Sequence, residues 1–370
     1  MDIDVYTMLI RPDTIGIWGK KGVREALDWY YNVMKRAKPP KYMIAKYTPA
    51  SRGEGVSELF NNHREARYTF LKYLDGVKNG LITLDNLEKP EYSFLDLKID
   101  ISYELLKECG LCEWGCRVDR LSGRRGVCGL AKESYVGSAF LHFGEEAPLI
   151  PSGTIFFSGC SLKCVFCQNW DISHYAEVGE KVDPQKLAHI MEELAESGAK
   201  NINFVGGNPD QHIHTILESL KYFDTWIPML WNSNMYMTIE ALEILLDVID
   251  IWLPDLKWWD DKHAFAYSRI LRYREVATRN IKRVYDYGSD MIIRHLIMPN
   301  HVHCCTKPIL RWIADNTQGV LINIMDQYIP EYKAAKEERF VEIGRRVTRE
   351  EVREAYRYAT RLGLNYEAVS

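Results

Sequence analysis

The sequence predicts an α/β protein: a partial (β/α)6 barrel preceded by a mainly helical N-terminal region. From about Gly153 onward, six short apolar runs alternate with amphipathic segments, which favours a parallel sheet with right-handed crossovers. Before about residue 135, the same pattern rules find helices and no strand–helix alternation. We therefore predict two domains, residues 1–135 and residues 136–370.

The elements follow in chain order. Helical periodicity covers residues 23–37 and 57–77 in the N-terminal region, with Pro39 and Pro40 between them. The six apolar runs predicted to be barrel strands are residues 154–157, 201–205, 228–231, 249–253, 291–298 and 320–325. Six strand–helix units suit a partial barrel better than a complete eightfold one. In such barrels the chemistry is located at the carboxyl ends of the strands.

Two of the predicted helices have clear end signals. Asp183 followed by Pro184 predicts a helix start, and Gly198 predicts its end. Thr348 with Glu351 three residues later has the spacing of a capping box, and that helix is expected to end near Gly363.

Composition excludes several classes of protein. Of 370 residues, 46% are apolar and 26% charged, which supports a sizeable core and argues against disorder. A net charge of −4 argues against a protein built mainly to bind nucleic acid. The acidic start at Met1–Asp4 lacks the regions of a secretory signal, and no apolar run reaches the ~18–20 residues that span a bilayer. We therefore expect a cytoplasmic protein without membrane association.

The nine cysteines fall into three groups. In a reducing compartment, closely spaced cysteines bind metal more often than they form disulfides. The groups are Cys109, Cys112, Cys116 and Cys128; Cys160, Cys164 and Cys167; and Cys304 with Cys305.

The middle group has the spacing C-x3-C-x2-C directly after the first predicted barrel strand. Three thiolates on one loop can hold three irons of a 4Fe-4S cluster and leave the fourth iron without a protein ligand. That open position would accept the amino and carboxylate groups of S-adenosylmethionine, which the reduced cluster would cleave to methionine and a 5′-deoxyadenosyl radical. The alternatives are a zinc knuckle lacking its fourth ligand, or three unrelated cysteines.

The first group, Cys109-x2-Cys112-x3-Cys116-x11-Cys128, supplies four thiolates within twenty residues. Four sulfurs complete a tetrahedral zinc site, and four also ligate an iron–sulfur cluster. The spacing leaves both metals open, together with the possibility that these thiols bind none. A zinc would be structural, whereas a cluster could relay electrons.

Residues 153–173, GTIFFSGCSLKCVFCQNWDIS, resemble the signature of the pyruvate formate-lyase activating enzyme-like proteins of the radical SAM superfamily. The resemblance continues through residues 251–257, 293–299 and 323–328. Upstream, residues 109–120, 126–129 and 142–146 match the subgroup with an extra four-cysteine motif. The resemblance implies a barrel of the radical SAM type, a 4Fe-4S cluster and S-adenosylmethionine.

The resemblance also implies roles for polar residues at the strand ends. Gly206, Gly207 and Asn208 stand where relatives carry Gly-Gly-Glu to hold the methionyl amino group, so Asn208 keeps an acceptor but loses a charge. No catalytic residue is assigned beyond the cluster ligands. The further residues that the resemblance assigns to cofactor binding are Asn232, Ser233, Asn234, Asp255, Lys257, Arg294 and Gln327. Taken singly, each has an ordinary explanation, such as a glycine turn or a surface ion pair between Asp255 and Lys257.

We therefore predict a radical SAM enzyme that abstracts a hydrogen atom from a substrate. The resemblance implies a glycine of a partner glycyl radical enzyme as substrate, and a flavodoxin- or ferredoxin-type protein as one-electron donor. One alternative is radical modification of another protein, peptide or small metabolite. A rival from another class is a non-catalytic iron–sulfur or zinc protein, acting as electron carrier or scaffold.

Cys304 and Cys305 follow His301 and His303 just past the fifth predicted strand. This run could bind metal or present a redox-active thiol. A loop with incidental cysteines is the interpretation that the sequence favours.

Overall fold

The computed structural model describes residues 3–370; Met1 and Asp2, part of the acidic start noted above, lie outside them. Fourteen α-helices are formed by the described residues: α1 Ile3–Ile10, α2 Val23–Ala26, α3 Asp28–Met34, α4 Lys41–Tyr47, α5 Gly55–Lys78, α6 Phe94–Lys107, α7 Trp170–Ser173, α8 Pro184–Glu196, α9 Ile213–Ser219, α10 Ile239–Leu246, α11 Asp261–Ser268, α12 Tyr273–Asp286, α13 Lys307–Asn316 and α14 Arg349–Arg361.

One eight-stranded sheet forms the centre of the molecule, with strand order β3-β1-β2-β4-β5-β6-β7-β8. Its strands are β1 Ser134–His142, β2 Ser152–Phe157, β3 Glu180–Val182, β4 Ile202–Gly206, β5 Met229–Ser233, β6 Ile251–Pro254, β7 Asp290–Leu296 and β8 Leu321–Met325. β2 and β4 to β8 are parallel to one another and coincide with the six predicted strands. The sheet does not close, so the predicted partial barrel with a helical N-terminal region is confirmed.

β1 and β3 were not predicted from the sequence, and both are antiparallel to their neighbours. β3 has three residues, too few for a periodic signal. β1 leaves the middle of its length exposed and contains Gly137, so it lacks the dense apolar run that marks the buried parallel strands. They extend one edge of the sheet beyond β2.

The predicted helix ends are confirmed. Asp183 caps α8, its carboxylate accepting a hydrogen bond from the Lys186 amide at 2.8 Å. Thr348 and Glu351 form the capping box of α14. Both caps satisfy amides that the first turn of a helix leaves without partners.

A buried charge network fastens the N-terminal helices to the barrel. Asp247, after α10, accepts a hydrogen bond from Lys98 of α6 at 2.6 Å and bonds from Arg67 of α5 at 2.8 and 3.0 Å. Lys98 and Asp247 are completely buried, and Lys98 also contacts His63 at 2.8 Å. The two cations hold the pKa of Asp247 well below its usual range despite burial, which opposes them.

Within residues 3–370, no helix is both long enough and apolar enough to cross a membrane.

Replacing Asp247 tests how much this network stabilises the protein. Asp247→Asn leaves the buried Lys98 without its counter-charge and leaves Arg67 paired with Glu243 alone, so we expect a loss of about 3–5 kcal/mol in the free energy of unfolding, measured by urea denaturation. The matched control is Asp286→Asn, which removes a half-exposed helical ion pair with Lys282 and should cost less than about 1 kcal/mol. A loss at Asp247 no larger than at Asp286 would contradict this assignment.

Candidate active site

The loop that carries Cys160, Cys164 and Cys167 leaves the carboxyl end of β2 and is fixed by backbone hydrogen bonds. Lys163 donates its amide to the carbonyl of Ser268 at 2.9 Å, and Val165 donates to Tyr267 at 2.8 Å. Tyr267 and Ser268, whose carbonyls accept these bonds, are the last two residues of α11. The loop is therefore held between β2 and the helix that follows β6.

The three thiols of this loop share one largely buried environment. Cys160 and Cys164 are buried and Cys167 is partly so. Burial raises the pKa of all three thiols, that of Cys164 to about 11, and neighbouring thiols contribute to the rise at Cys160 and Cys164. Lys257 acts against this on Cys164 and Cys167. Such a group stays protonated unless a cation binds it, and a bound metal deprotonates a coordinating thiol.

Each of these sulfur atoms also has a polar neighbour. The Leu162 amide and the Asn234 side-chain amide donate to Cys160 Sγ at 3.3 and 3.7 Å. Cys164 Sγ lies 3.1 Å from Ser268 Oγ, and Cys167 Sγ lies 3.2 Å from Ser173 Oγ. Three converging thiols with hydrogen-bond donors around them fit the ligand set of an iron–sulfur cluster with three protein ligands.

Gly206 and Gly207 lie where β4 ends against this loop. Gly206 has φ +115°, and a Cβ there would lie 2.2 Å from the Phe157 nitrogen. A Cβ on Gly207 would lie 2.3 Å from the Gly159 carbonyl oxygen. The close approach that requires glycine is thus to the backbone of β2 and its loop, and a role toward the cofactor stays a prediction.

Asn208 and Asn234 link the end of β4 to the end of β5 beside Cys160. The backbone amide of Asn234 donates to Asn208 Oδ1 at 3.3 Å, and Asn208 Nδ2 donates to the Gln211 side-chain oxygen at 3.2 Å. Both asparagines are buried. They form a short polar path that ends on Cys160 Sγ.

Asp210 is a residue that the sequence analysis missed. Its Oδ1 accepts hydrogen bonds from Ser233 Oγ at 2.8 Å and Trp231 Nε1 at 3.0 Å, while Oδ2 has no partner among the described residues. Burial raises its pKa to about 6, although hydrogen bonds from Asn208, Ser233 and Trp231 lower it. In the sequence, only its position two residues after Asn208 could have indicated a role in this site.

Asp255, Lys257 and Arg294 form one network inside the barrel. Asp255 accepts from Lys257 Nζ at 2.6 Å and from Arg294 Nε at 2.8 Å. Arg294 also bonds Asn232 and lies 3.4 Å from Glu145, a carboxylate between β1 and β2. All these charges are largely buried, so Asp255 and Lys257 are not an isolated surface pair. A contact between Arg294 and the cofactor stays a prediction, and Gln327 is exposed after β8.

The four-cysteine segment packs directly against the three-cysteine loop. Trp114 donates its indole N–H to the Ser161 carbonyl at 2.6 Å. The Glu113 amide donates to Tyr236 after β5 at 3.2 Å. Arg120, completely buried, bonds the carbonyls of Ala131 and Gln211 at 2.7 and 3.0 Å. The segment is thus part of the same end of the barrel.

Its four thiols also lie close together. Burial raises the pKa of Cys112, and the three other cysteines of the segment raise it further. A Cβ on Gly126 would lie 3.2 Å from Cys116 Sγ and 3.5 Å from Cys128 Sγ, so a side chain there would crowd both sulfurs. The segment therefore presents four neighbouring thiols, and four thiolates are a donor set that zinc and iron–sulfur clusters both accept.

Comparison with known proteins bears on this arrangement. The Radical SAM superfamily matches residues 154–313. A curated relative, an uncharacterised protein of Methanocaldococcus jannaschii, is 39% identical over 349 residues, which cover 92% of this chain and 98% of that protein.

Two solved structures are similar at lower levels. Streptococcus suis SuiB, in a crystal structure bound to S-adenosylmethionine, is 17% identical over 56% of this chain and 47% of its own, with a TM-score of 0.42. A domain of pyruvate-formate lyase-activating enzyme from Bacteroides vulgatus is 17% identical over 45% of this chain and 96% of the domain, with a TM-score of 0.36. This chain thus spans about half the length of SuiB.

The superfamily match begins in β2, includes the three-cysteine loop and ends in α13, and so contains the buried thiols described above. This chain therefore contains a Radical SAM superfamily domain at residues 154–313.

Proposed function

We propose that this protein cleaves S-adenosylmethionine reductively at a 4Fe-4S cluster on Cys160, Cys164 and Cys167, and abstracts a hydrogen atom from a protein or peptide substrate. The observation that carries the proposal is the set of three neighbouring thiols, two buried and one partly buried, after the carboxyl end of β2. The resemblance of the motifs to activating enzymes makes a glycine of a glycyl radical enzyme the specific hypothesis. A flavodoxin- or ferredoxin-type protein is the proposed electron donor.

When bound, the cluster and S-adenosylmethionine would supply the electron transfer and the 5′-deoxyadenosyl radical. The chain's own residues would position and shelter them. Leu162, Asn234, Ser268 and Ser173 would provide hydrogen bonds to the sulfur atoms, and such bonds tune the potential of a cluster. Lys257 would add a positive charge beside two of the three thiolates.

The remaining predicted residues would form the cofactor pocket. Asn208 and Asn234 are buried next to Cys160, where an amide oxygen can accept a bond from an ammonium group. Asp210, with one unpartnered oxygen at the same place, supports a binding site for a positively charged group. Burial of these side chains excludes water from the place where a reactive radical would form.

We further propose that the four-cysteine segment binds its own metal centre, either zinc or an iron–sulfur cluster. The contact between Trp114 and Ser161 supports a structural role, since it joins the segment to the catalytic loop. A redox-active centre at the same place would lie on an entry path for electrons.

Replacing Cys160, Cys164 and Cys167 together by Ala should remove the absorbance of one 4Fe-4S cluster and all cleavage of S-adenosylmethionine. The reason is that these three thiolates are the proposed protein ligands of the cluster, and without the cluster there is no open iron to bind S-adenosylmethionine. After anaerobic reconstitution, the absorption spectrum measures the cluster, and liquid chromatography of 5′-deoxyadenosine measures cleavage. Circular dichroism checks that the fold remains. Continued cleavage in the folded triple variant would refute the ligand assignment.

Changing Cys112 and Cys128 to Ala in that triple variant tests the second centre. Metal analysis should show the further loss of one centre, either four irons or one zinc, because two of its four ligands are gone. The thermal transition should also fall, since a structural metal contributes folding free energy. Identical metal content in the triple and quintuple variants would show that the four-cysteine segment binds no metal.

Asn208 tests the cofactor pocket. Hydrogen bonds to charged groups contribute roughly 1.5–3 kcal/mol, so Asn208→Ala should weaken S-adenosylmethionine binding by roughly ten- to a hundredfold. Asn208→Glu should restore or exceed the parent affinity, because it replaces the dipole with a charge. Equilibrium binding at equal cluster content measures both. Unchanged affinity in both variants would mean that Asn208 shapes only the turn before Pro209.

A further inference from the structure

A second group of metal-ligating side chains lies at the carboxyl ends of β6 and β7, outside both cysteine sites. His263 is on α11, which follows β6, while His301 and Cys304 follow β7. Cys304 is in a π-helical turn, Val302–Thr306, a rare conformation that is frequent at functional sites. One ligand atom from each of these three residues lies within 4.8 Å of the other two. Among the described residues, this is the one group of three or more His, Cys, Asp or Glu side chains that meets this distance.

His301 has a ring nitrogen that lacks a partner. Its side chain is 1% exposed, and Nδ1 lies 2.6 Å from the Pro299 carbonyl oxygen. Because a carbonyl only accepts hydrogen bonds, Nδ1 must carry the proton, and Nε2 presents its lone pair. Nε2 is buried and has no hydrogen-bond partner among residues 3–370, and Glu342 Oε1 lies 3.9 Å from it, beyond hydrogen-bond distance. An unpaired buried acceptor is unfavourable, and a histidine that donates through one nitrogen to a carbonyl is typically oriented to bind metal through the other.

The sulfur and nitrogen separations match a metal site. Cys304 Sγ lies 3.8 Å from His263 Nδ1. Zinc–sulfur and zinc–nitrogen bonds at a tetrahedral angle would place the two donor atoms about 3.6 Å apart. The rings of His263 and His301 are nearly perpendicular, with centroids 4.4 Å apart. Two imidazoles and one thiolate are a donor set that suits zinc.

Cys305 lies beside this group but outside it. Its sulfur is 3.6 Å from His263 Nδ1, yet it does not join the three atoms that are mutually within 4.8 Å. Burial raises the pKa of its thiol, and the backbone of Asp260 and Trp259 beside it lowers that pKa. Cys304 is partly exposed, so one side of the group faces solvent. Three protein ligands and an accessible side are the arrangement of a zinc ion that keeps its fourth position open.

We propose that His263, His301 and Cys304 bind a zinc ion with a fourth coordination position open to a ligand. The site is on the same face of the barrel as the three-cysteine loop. Trp258 packs edge-on against His301 and donates its indole N–H to Ser268 Oγ at 2.9 Å, and Ser268 is the neighbour of Cys164. The zinc site stands on its own geometry and does not depend on the proposed radical chemistry.

The sequence favoured incidental cysteines in this loop, and His301 and His303 were equivalent candidates. The structure separates them, because His303 is 75% exposed and forms an ion pair with Glu354 at 3.3 Å. His303 is therefore the matched control. His263 is 38 residues before His301, so sequence spacing could not have identified it as a member of the group.

The test counts zinc in the full-length protein with its clusters reconstituted. After equilibration with Zn²⁺ under anaerobic, reducing conditions and removal of loosely bound metal, His301→Ala and Cys304→Ala should each contain one zinc fewer than the parent and His303→Ala. Iron content should be the same in all four. Zinc affinity at this site should fall by more than about a hundredfold, since even outer partners of metal ligands contribute 10- to 100-fold.

Two further variants keep the result decisive. His263→Gln preserves side-chain volume and polarity and should lose the same zinc, which covers the case in which an alanine variant fails to fold. Cys305→Ala should retain the zinc. Loss of zinc in Cys305→Ala would mean that Cys305 is the fourth ligand and would overturn the open fourth position. Equal zinc in the parent, His301→Ala, Cys304→Ala and His263→Gln would overturn the site. A protein mass 2 Da below the expected value under the same reducing conditions, which would reveal a Cys304–Cys305 disulfide, would also overturn the site.

Discussion

A guanidinium buried inside the open barrel is the constraint on which much of the site depends. Arg294 on β7 cannot be left without counter-charge, because an unpaired buried charge is strongly unfavourable. Its partners are Asp255 after β6, Asn232 on β5 and Glu145 between β1 and β2. One side chain thus fixes three strand ends and draws the segment before β2 into the barrel. Asp255, fixed in this way, holds Lys257 near Cys164 and Cys167.

Three groups of residues that contain cysteine lie at the carboxyl ends of the parallel strands. The three-cysteine loop is the centre, and the four-cysteine segment reaches it through Trp114. The group of His263, His301 and Cys304 reaches it through Trp258 and Ser268. The helical N-terminal region is fastened to the barrel elsewhere, before the start of β6, through the buried charges on Lys98, Arg67 and Asp247. Burial serves function here, since radical chemistry requires exclusion of water.

The sequence predicted the elements whose signals are local and missed those that depend on tertiary contacts. The parallel strands are dense apolar runs, and the caps at Asp183 and Thr348 are short motifs, so both were predicted correctly. β1 and β3 lack such signals because one is half-exposed and the other is three residues long. The spacing of the cysteines predicts metal ligands, and that assignment stays a prediction. Ser268 and Asp210 were missed because their contacts with Cys164 and Ser233 arise only when distant segments fold together.

The central claim is that the cluster on Cys160, Cys164 and Cys167 has an iron open to S-adenosylmethionine. Electron paramagnetic resonance of the anaerobically reduced protein, with and without S-adenosylmethionine, tests this most directly. The account predicts a reduced-cluster signal with at least one component that changes shape and position on addition, because the molecule binds that iron. A spectrum in which no component responds would identify clusters fully ligated by protein and would contradict the account.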